Sequence, residues 1–403
     1  MDLNATATLG LDAGRAADPA RYAIAGVVPR LALRPTSRDE VAETLRASAR
    51  EGLSIVPWGG GTWLAAEPGP ARYDVALDLS ALARVLEYEP ADMTITAECG
   101  ITIAALRAAL AARDQELPLE GGLADRATLG GVLACNASGA RRLRFGAPYD
   151  RLLGARFALG DGTIARSGGK VVKNVAGYAI HRLLCGSRGG LAVLLEASLK
   201  LVPAAESRVA LEYAADLAAI RDRARWSTIP RLEPAGVTVT GDGSGRFAVQ
   251  VTLEDEARWV GQQVAAVTNV LGAPASRAEG AAVAEALQAL ADLGSGAGPA
   301  LELVTAANTP AALAPLLERE PRARFVFHAP AGRLHLFTDP ARAQELVHFL
   351  GTHGFALIAA RGVEVSPALP PQVALRDLRA TIRGSLDPAR TFALGERWEQ
   401  RSA

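Results

Sequence analysis

Three stretches of this sequence set glycines beside hydroxyl and amide side chains, and they constrain the fold more than any other feature. The first is Gly59-Gly60-Gly61-Thr62. The second runs from Thr128-Leu129-Gly130-Gly131 to Asn136-Ala137-Ser138-Gly139. The third runs from Lys170-Val171-Val172-Lys173-Asn174-Val175-Ala176-Gly177-Tyr178 to Gly186-Ser187-Arg188-Gly189-Gly190. Glycine reaches left-handed backbone and lets main-chain N–H groups approach an anion without a Cβ in the way. A lone Gly-Gly-Gly is equally a tight turn, and either other stretch alone is equally a closely packed loop. Three donor-rich loops in one region read together as the cradle of a large dinucleotide lying extended across them.

Composition narrows the classes without naming one. The 403 residues balance 43 basic against 43 acidic side chains, which argues against a nucleic acid or acidic membrane recognised by bulk charge. Hydrophobic content of 49% with 40 glycines and 23 prolines reads as globular and turn-rich. Cys99, Cys135 and Cys185 are scattered, so neither a disulfide framework nor a metal site is expected. Met1-Asp2-Leu3-Asn4 opens no basic and apolar leader, and no apolar run reaches the roughly 18 residues of a spanning helix. A soluble, reducing, cytoplasmic setting is the expectation. Only three of the cations are lysines, Lys170, Lys173 and Lys200, and asparagine is scarce too. Lys170, Lys173, Asn174 and Asn136 fall among the glycine clusters, which points at the same region.

Residues 1–25 show no sustained period and read as a loose arm. Leu31–Leu33 is a short strand. Ser37 and Glu40 form a capping box for a helix carrying Val41, Leu45 and Ala49, and Gly52 ends it. A second strand over 53–57 delivers the chain into the first glycine stretch. Strands at 75–79, 84–88 and 93–98 precede a helix at 102–113, and Asp161-Gly162 marks a hairpin before a long strand at 191–201. After about residue 205 two loosely similar β-α-β-β-α series appear, joined by a connector near 293–299. They predict one antiparallel sheet with helices on one face. A last helix spans roughly 370–384.

Several familiar signatures fail. Gly59, Gly61 and Leu64 do not complete G-x-G-x-x-G, and Gly169-Lys170-Val171 lacks the remaining parts of a P-loop. No G-x-S-x-G or H-E-x-x-H occurs. Arg322, Arg324, Arg333 and Arg361, with His328 and His335, lie on or beside predicted strands of the second half. They are candidates to hold a carboxylate or serve as a base, but they read first as a solvated sheet face.

The order Pro57-Trp58-Gly59-Gly60-Gly61-Thr62, the stretch from Thr128 to Gly139 with Arg142-Leu143-Arg144-Phe145-Gly146, then Lys173-Asn174-Val175-Ala176-Gly177-Tyr178, resembles the FAD-binding PCMH-type flavoproteins of the vanillyl-alcohol-oxidase superfamily. Within it, Lys170–Tyr178 and the overall length most resemble the FAD-binding E-subunit family of bacterial glycolate oxidases. The resemblance implies an α+β protein: a two-part PCMH-type FAD-binding domain over 26–204, then an α+β cap domain with an antiparallel sheet over 205–403, whose C-terminal tail returns to the first. It implies that Gly59, Gly60, Gly61 and Thr62 hold the FAD pyrophosphate, and that Thr128, Gly131, Asn136, Ser138 and Gly139 line its pyrophosphate and ribityl side. Gly189, Gly190 and Leu191 fall near the adenine half or the flavin, and Lys173 and Asn174 beside a phosphate or the flavin's O2 edge. Arg188-Gly189-Gly190-Leu191 stands where the family commonly has Gly-Thr-Leu-Gly, and the tail Phe392-Ala393-Leu394-Gly395 lacks its Asn and Pro. With Thr62 after the glycines and Cys135 the nearby sulfur, the FAD is expected to be non-covalent. Implied partners are a second flavoprotein subunit and an iron–sulfur subunit, acting on a small 2-hydroxy acid, with peripheral inner-membrane placement through them. Two rival readings are a self-sufficient FAD-dependent oxidoreductase and a scaffold without flavin. The catalytic residues stay unassigned.

Overall fold

The structure is a computed structural model, described over residues 16–64, 69–170, 177–295, 298–363, 365 and 373–395. Strands β1 (Leu31–Leu33), β2 (Ile55–Trp58) and β3 (Val75–Asp78) form a parallel core with β3 in the middle, and helix α1 (Arg38–Arg50) makes the crossover. α1 starts where the sequence says it should. The Ser37 hydroxyl accepts the Glu40 N–H at 3.2 Å, while the Glu40 carboxylate accepts the Thr36 N–H at 2.8 Å. One of the helix's orphan amides is thereby satisfied, and the Glu40 carboxylate ties the entering chain at Thr36 to the first turn. Val41, Ala42 and Leu45, at helical spacing, are fully buried.

A second, antiparallel sheet holds β4 (Val85–Glu89), β5 (Thr94–Glu98), β6 (Leu152–Ala158), β7 (Ile164–Gly168) and β8 (Val193–Lys200), in the order β4-β5-β8-β6-β7. β8 is buried on both faces along most of its length, with Glu196 half-buried and Lys200 exposed. Val193 and Leu195 meet Leu45, Ile55 and Leu77 of the first layer. Leu194 and Leu199 meet helices α2 (Ile103–Ala111) and α3 (Leu129–Cys135) on the other side. Of the arm expected over 1–25, the described residues 16–25 pack onto the first layer. Ala16–Ala17 pair with β1, and Tyr22 and Ile24 are buried because the Tyr22 hydroxyl donates to Asp78 at 2.7 Å.

The C-terminal half contributes one eight-stranded antiparallel sheet. Its strands are β9 (Ser207–Ala215), β10 (Gly236–Asp242), β11 (Phe247–Asp255), β12 (Ser276–Glu279), β13 (Ala300–Thr305), β14 (Arg324–His328), β15 (Arg333–Phe337) and β16 (Phe355–Arg361), ordered β12-β9-β11-β10-β14-β15-β13-β16. The two series are thus complete β-α-β-β-α-β units joined edge to edge at β10 and β14. Sequence reading missed β12 and the helix Ala281–Ser295, placing a connector where that helix ends. The first helix of the first series is two short ones, Leu217–Arg221 and Arg223–Thr228, because Asp222 breaks the turn and its side chain accepts the Arg225 N–H.

The C-terminal segment crosses back to the first layer. Phe392 makes a parallel bridge to Ile55, its side chain is fully buried, and Asp387 accepts the Thr391 and Phe392 amides at 2.8 and 3.0 Å. Truncating that ring removes contacts from both layers at once. Phe392→Ala should therefore cost about 3–5 kcal/mol. The check is a urea titration in which the midpoint falls while the slope stays constant.

Candidate cofactor site

The first two glycine stretches and part of the third meet around one cleft. Its lining includes Gly59, Gly60, Gly61, Thr62, Thr128, Gly131 and Gly189 from among the residues singled out in the sequence. Backbone packs on backbone at its rim. A Cβ at Gly60 would fall inside the Arg126 carbonyl, and one at Gly59 inside the Thr128 hydroxyl. At Gly61 the backbone is left-handed (φ 68°) and a Cβ would strike the Trp58 ring. These are positions only glycine can occupy.

Helix α3 supplies one wall. Thr128 caps it, its hydroxyl accepting the Gly131 N–H at 3.3 Å. Gly130, Gly131 and Ala134 keep the cleft side of this helix flat, while Trp58, Trp63, Leu64 and Leu79 line the cleft as well. Trp58 is pinned from behind by an edge-on Tyr22 ring 5.1 Å away and by donating to the Tyr73 hydroxyl. Asn136 ends α3 in a left-handed conformation (φ 49°). The loop 186–190 then folds over that end. Gly186 and Arg188 donate their amides to Leu133 and Ala134 at 3.1 and 2.8 Å, which satisfies two carbonyls the helix leaves open.

Other residues singled out lie elsewhere. Asn136 sits at the helix end, its carbonyl facing Arg333 at 3.4 Å. The Gly139 amide donates to Glu120 at 2.9 Å, and Ser138 donates to the Asn136 carbonyl. Gly190 packs against the tail at Leu394 and Gly395, and Leu191 is core. Lys173 and Asn174 lie outside the described residues. Lys170 pairs with Glu87 on a sheet edge, so its rarity marked no cleft function. Sequence reading missed Trp63, Cys99 and Arg188. The departure from the family pattern at Arg188 was the one available signal.

A small recess adjoins the cleft, sharing Thr62 and Trp63 with it and lined further by Glu302, His335 and Arg361. The solvated-face reading of the second-half residues fails here. Arg333, Arg361, His328 and His335 are all buried, while Arg322 and Arg324 are exposed as expected. The reason is strand alternation. Leu334 and Leu336 of β15 enter the core on the helix side, and Leu301 and Leu303 of β13 do the same. Arg333, His335 and Glu302 are left on the face that the glycine loops cover. Glu302 accepts from Arg333 at 2.7 Å and pairs with Arg188 at 3.7 Å. Burial pushes His335 down to about 4 and His328 down to about 3, so both rings are neutral near pH 7.

The chemistry of this donor set fits FAD. A glycine rim offers main-chain amides to a pyrophosphate, and a flat, mostly apolar cleft suits a fused aromatic ring. The comparisons agree. Residues 29–168 match the family model described as the FAD binding domain. Residues 29–168 therefore form an FAD-binding domain, and FAD is the cofactor that its residues fit. Glycolate oxidase subunit GlcE of Escherichia coli is 38% identical over 156 residues, 38% of this chain and 45% of that protein. Glycolate oxidase subunit GlcD of Bacillus subtilis is 31% identical over 184 residues, 46% of this chain and 39% of that protein. The D-lactate dehydrogenase of Archaeoglobus fulgidus is 32% identical over 182 residues, 44% of this chain and 41% of that protein. The chain thus spans less than half the length of these relatives. Alkyldihydroxyacetonephosphate synthase shares the fold, with a TM-score of 0.67 at 17% identity over 91% of this chain and 77% of that one. Among the described residues no helix is long and apolar enough to cross a membrane.

Glu120 carries a titration signature beside this site. Burial raises its carboxyl to about 7, although Arg141 and the amides of Gly139 and Arg141 pull the other way. A raised carboxyl binds its proton more tightly folded than unfolded. Its stabilising effect is present below the unfolded value of 4.5 and is lost as pH climbs through 7. Glu120→Gln should match the parent near pH 4 and become more stable than it by roughly 3 kcal/mol at pH 8, read from paired urea titrations.

Proposed function

We propose that this chain is the FAD-binding subunit of a complex that oxidises a small 2-hydroxy acid, such as glycolate to glyoxylate. The single observation that carries the reading is the cleft that gathers Gly59–Thr62, Thr128–Gly131 and Gly189, within a region most similar to glycolate oxidase subunits and 2-hydroxy-acid dehydrogenases. In this reading Gly59, Gly60, Gly61 and Thr62 hold the pyrophosphate, Thr128 and Gly131 the ribityl side, and Gly189 the far rim. Residues 26–204 form the FAD-binding domain and 205–403 the cap. FAD, when bound, accepts two electrons together and releases them singly. The protein's part is to position the ring, shield it from water and set the charge around it.

The cofactor is held without a covalent bond. Thr62 follows the glycines with a hydroxyl far less nucleophilic than an imidazole or thiolate, and burial pushes the Cys99 thiol far above its ordinary value, which keeps it protonated. A second flavoprotein subunit and an iron–sulfur subunit complete the assembly, which is cytoplasmic or held at the inner membrane by those partners.

Purification and acid precipitation test the reading directly. The protein should be yellow, and the flavin should stay in the supernatant. The lone chain, given glycolate or D-lactate and a dye acceptor, should turn over slowly and gain rate with the partner subunits. High unaided turnover contradicts the subunit role, and a colourless chain that takes up no FAD indicates a scaffold.

A further inference from the structure

Among the described residues lining the cleft, Arg188 is the single charged side chain. Everything else there is apolar, glycine, hydroxyl or thiol. A lone guanidinium in such surroundings, its side chain only 6% exposed, is costly unless it is held and used. It is held firmly. Its backbone adopts a left-handed conformation (φ 51°) that a residue with a Cβ seldom takes, between two left-handed glycines, Gly186 and Gly189. Its amide is fixed to Ala134, and its guanidinium faces Glu302, which Arg333 grips from the other side. Glu302 and Arg333 belong to the C-terminal sheet, more than a hundred residues away in sequence.

Resting on the reading that FAD occupies the cleft, we propose that Arg188 is the fixed cation that sets the reduction potential of the flavin, and that Glu302 positions and partly neutralises it. The cation stands on the side of the cleft facing the C-terminal sheet, its guanidinium 3.7 Å from Glu302. Gly59 and Gly60, where a Cβ would meet the Thr128 side chain and the Arg126 carbonyl, suit the phosphates. Reduction places negative charge on the ring system, so a buried positive charge beside it favours the reduced form. Glu302 bears the opposite charge and acts through Arg188. This makes Glu302 a positioning residue, and it gives the sheet to which it belongs a hold on the cofactor's energetics.

The two residues predict shifts of opposite sign, which a merely structural role does not. With the FAD-loaded chain, midpoint potentials are measured by dye equilibration for the parent, Arg188→Met, Arg188→Lys and Glu302→Gln. Arg188→Met should weaken binding of reduced relative to oxidised flavin at least tenfold, a fall of about 30 mV for a two-electron couple. Arg188→Lys keeps the cation and should recover most of that fall. Glu302→Gln removes the neutralising charge and should raise the potential. FAD and ADP affinities of each apoprotein are measured in parallel by titration. Equal weakening of FAD and ADP with an unchanged potential makes Arg188 a phosphate contact and overturns the proposal. Shifts of the same sign for Arg188→Met and Glu302→Gln overturn it too, and leave the flavin-subunit reading intact. If Arg188→Met does not fold, Arg188→Lys and Glu302→Gln decide the matter, since a potential lowered by Glu302→Gln contradicts the assignment. A parent chain that takes up no FAD overturns both.

Discussion

At Gly60 the chain lies directly against the Arg126 backbone, and at Gly59 against the Thr128 side chain, too close for a Cβ on either glycine. That approach joins the end of β2, in the small parallel layer, to the N-terminus of α3, which packs on the antiparallel layer. The cleft is the space left beside this contact. If the two backbones separated by the width of a methyl group, Trp58 and Trp63 would move away from the flat wall of Gly130, Gly131 and Ala134. The flat slot depends on that register, and the register depends on the absence of side chains.

The second constraint is period-two alternation in the C-terminal sheet. One face buries Leu301, Leu303, Phe325, Phe327, Leu334 and Leu336 against helices. The other presents Glu302, His328, Arg333 and His335, and these are buried because the glycine loops close over them. Buried charge survives there through pairing, with Glu302 between Arg333 and Arg188. The histidines survive by staying neutral. One sheet therefore does two things, packing a core on one side and building a polar wall for the cleft on the other.

What the sequence disclosed follows from which interactions are local. Gly59–Thr62 was legible because backbone conformation restricts residue type at the position itself. The same holds for the Ser37 cap and the Asp161-Gly162 hairpin. The strand Ser276–Glu279 was not legible, since a short, polar edge strand has no apolar face to alternate. The burial of Arg333 and His335 was hidden for another reason. Their alternation with Leu334 and Leu336 was visible, but alternation says only that one face differs from the other. What covers the polar face is decided by residues 136–190, and no local pattern reports that docking. Arg188 lay between these cases. Its place in the loop broke the family pattern, but its partner is Glu302, reached only when the sheet folds against the loop.

The central claim is that this glycine-built cleft holds the cofactor, and Trp58 and Trp63 on its lining report on it. The direct measurement is a titration of apoprotein with FAD, followed by quenching of tryptophan fluorescence, for the parent chain and for Gly60→Ala. The account predicts saturable one-to-one quenching in the parent and at least about tenfold weaker binding in Gly60→Ala, roughly 1.4 kcal/mol or more. Equal affinity in the two proteins, or FAD uptake without any quenching, would place the flavin somewhere other than this cleft.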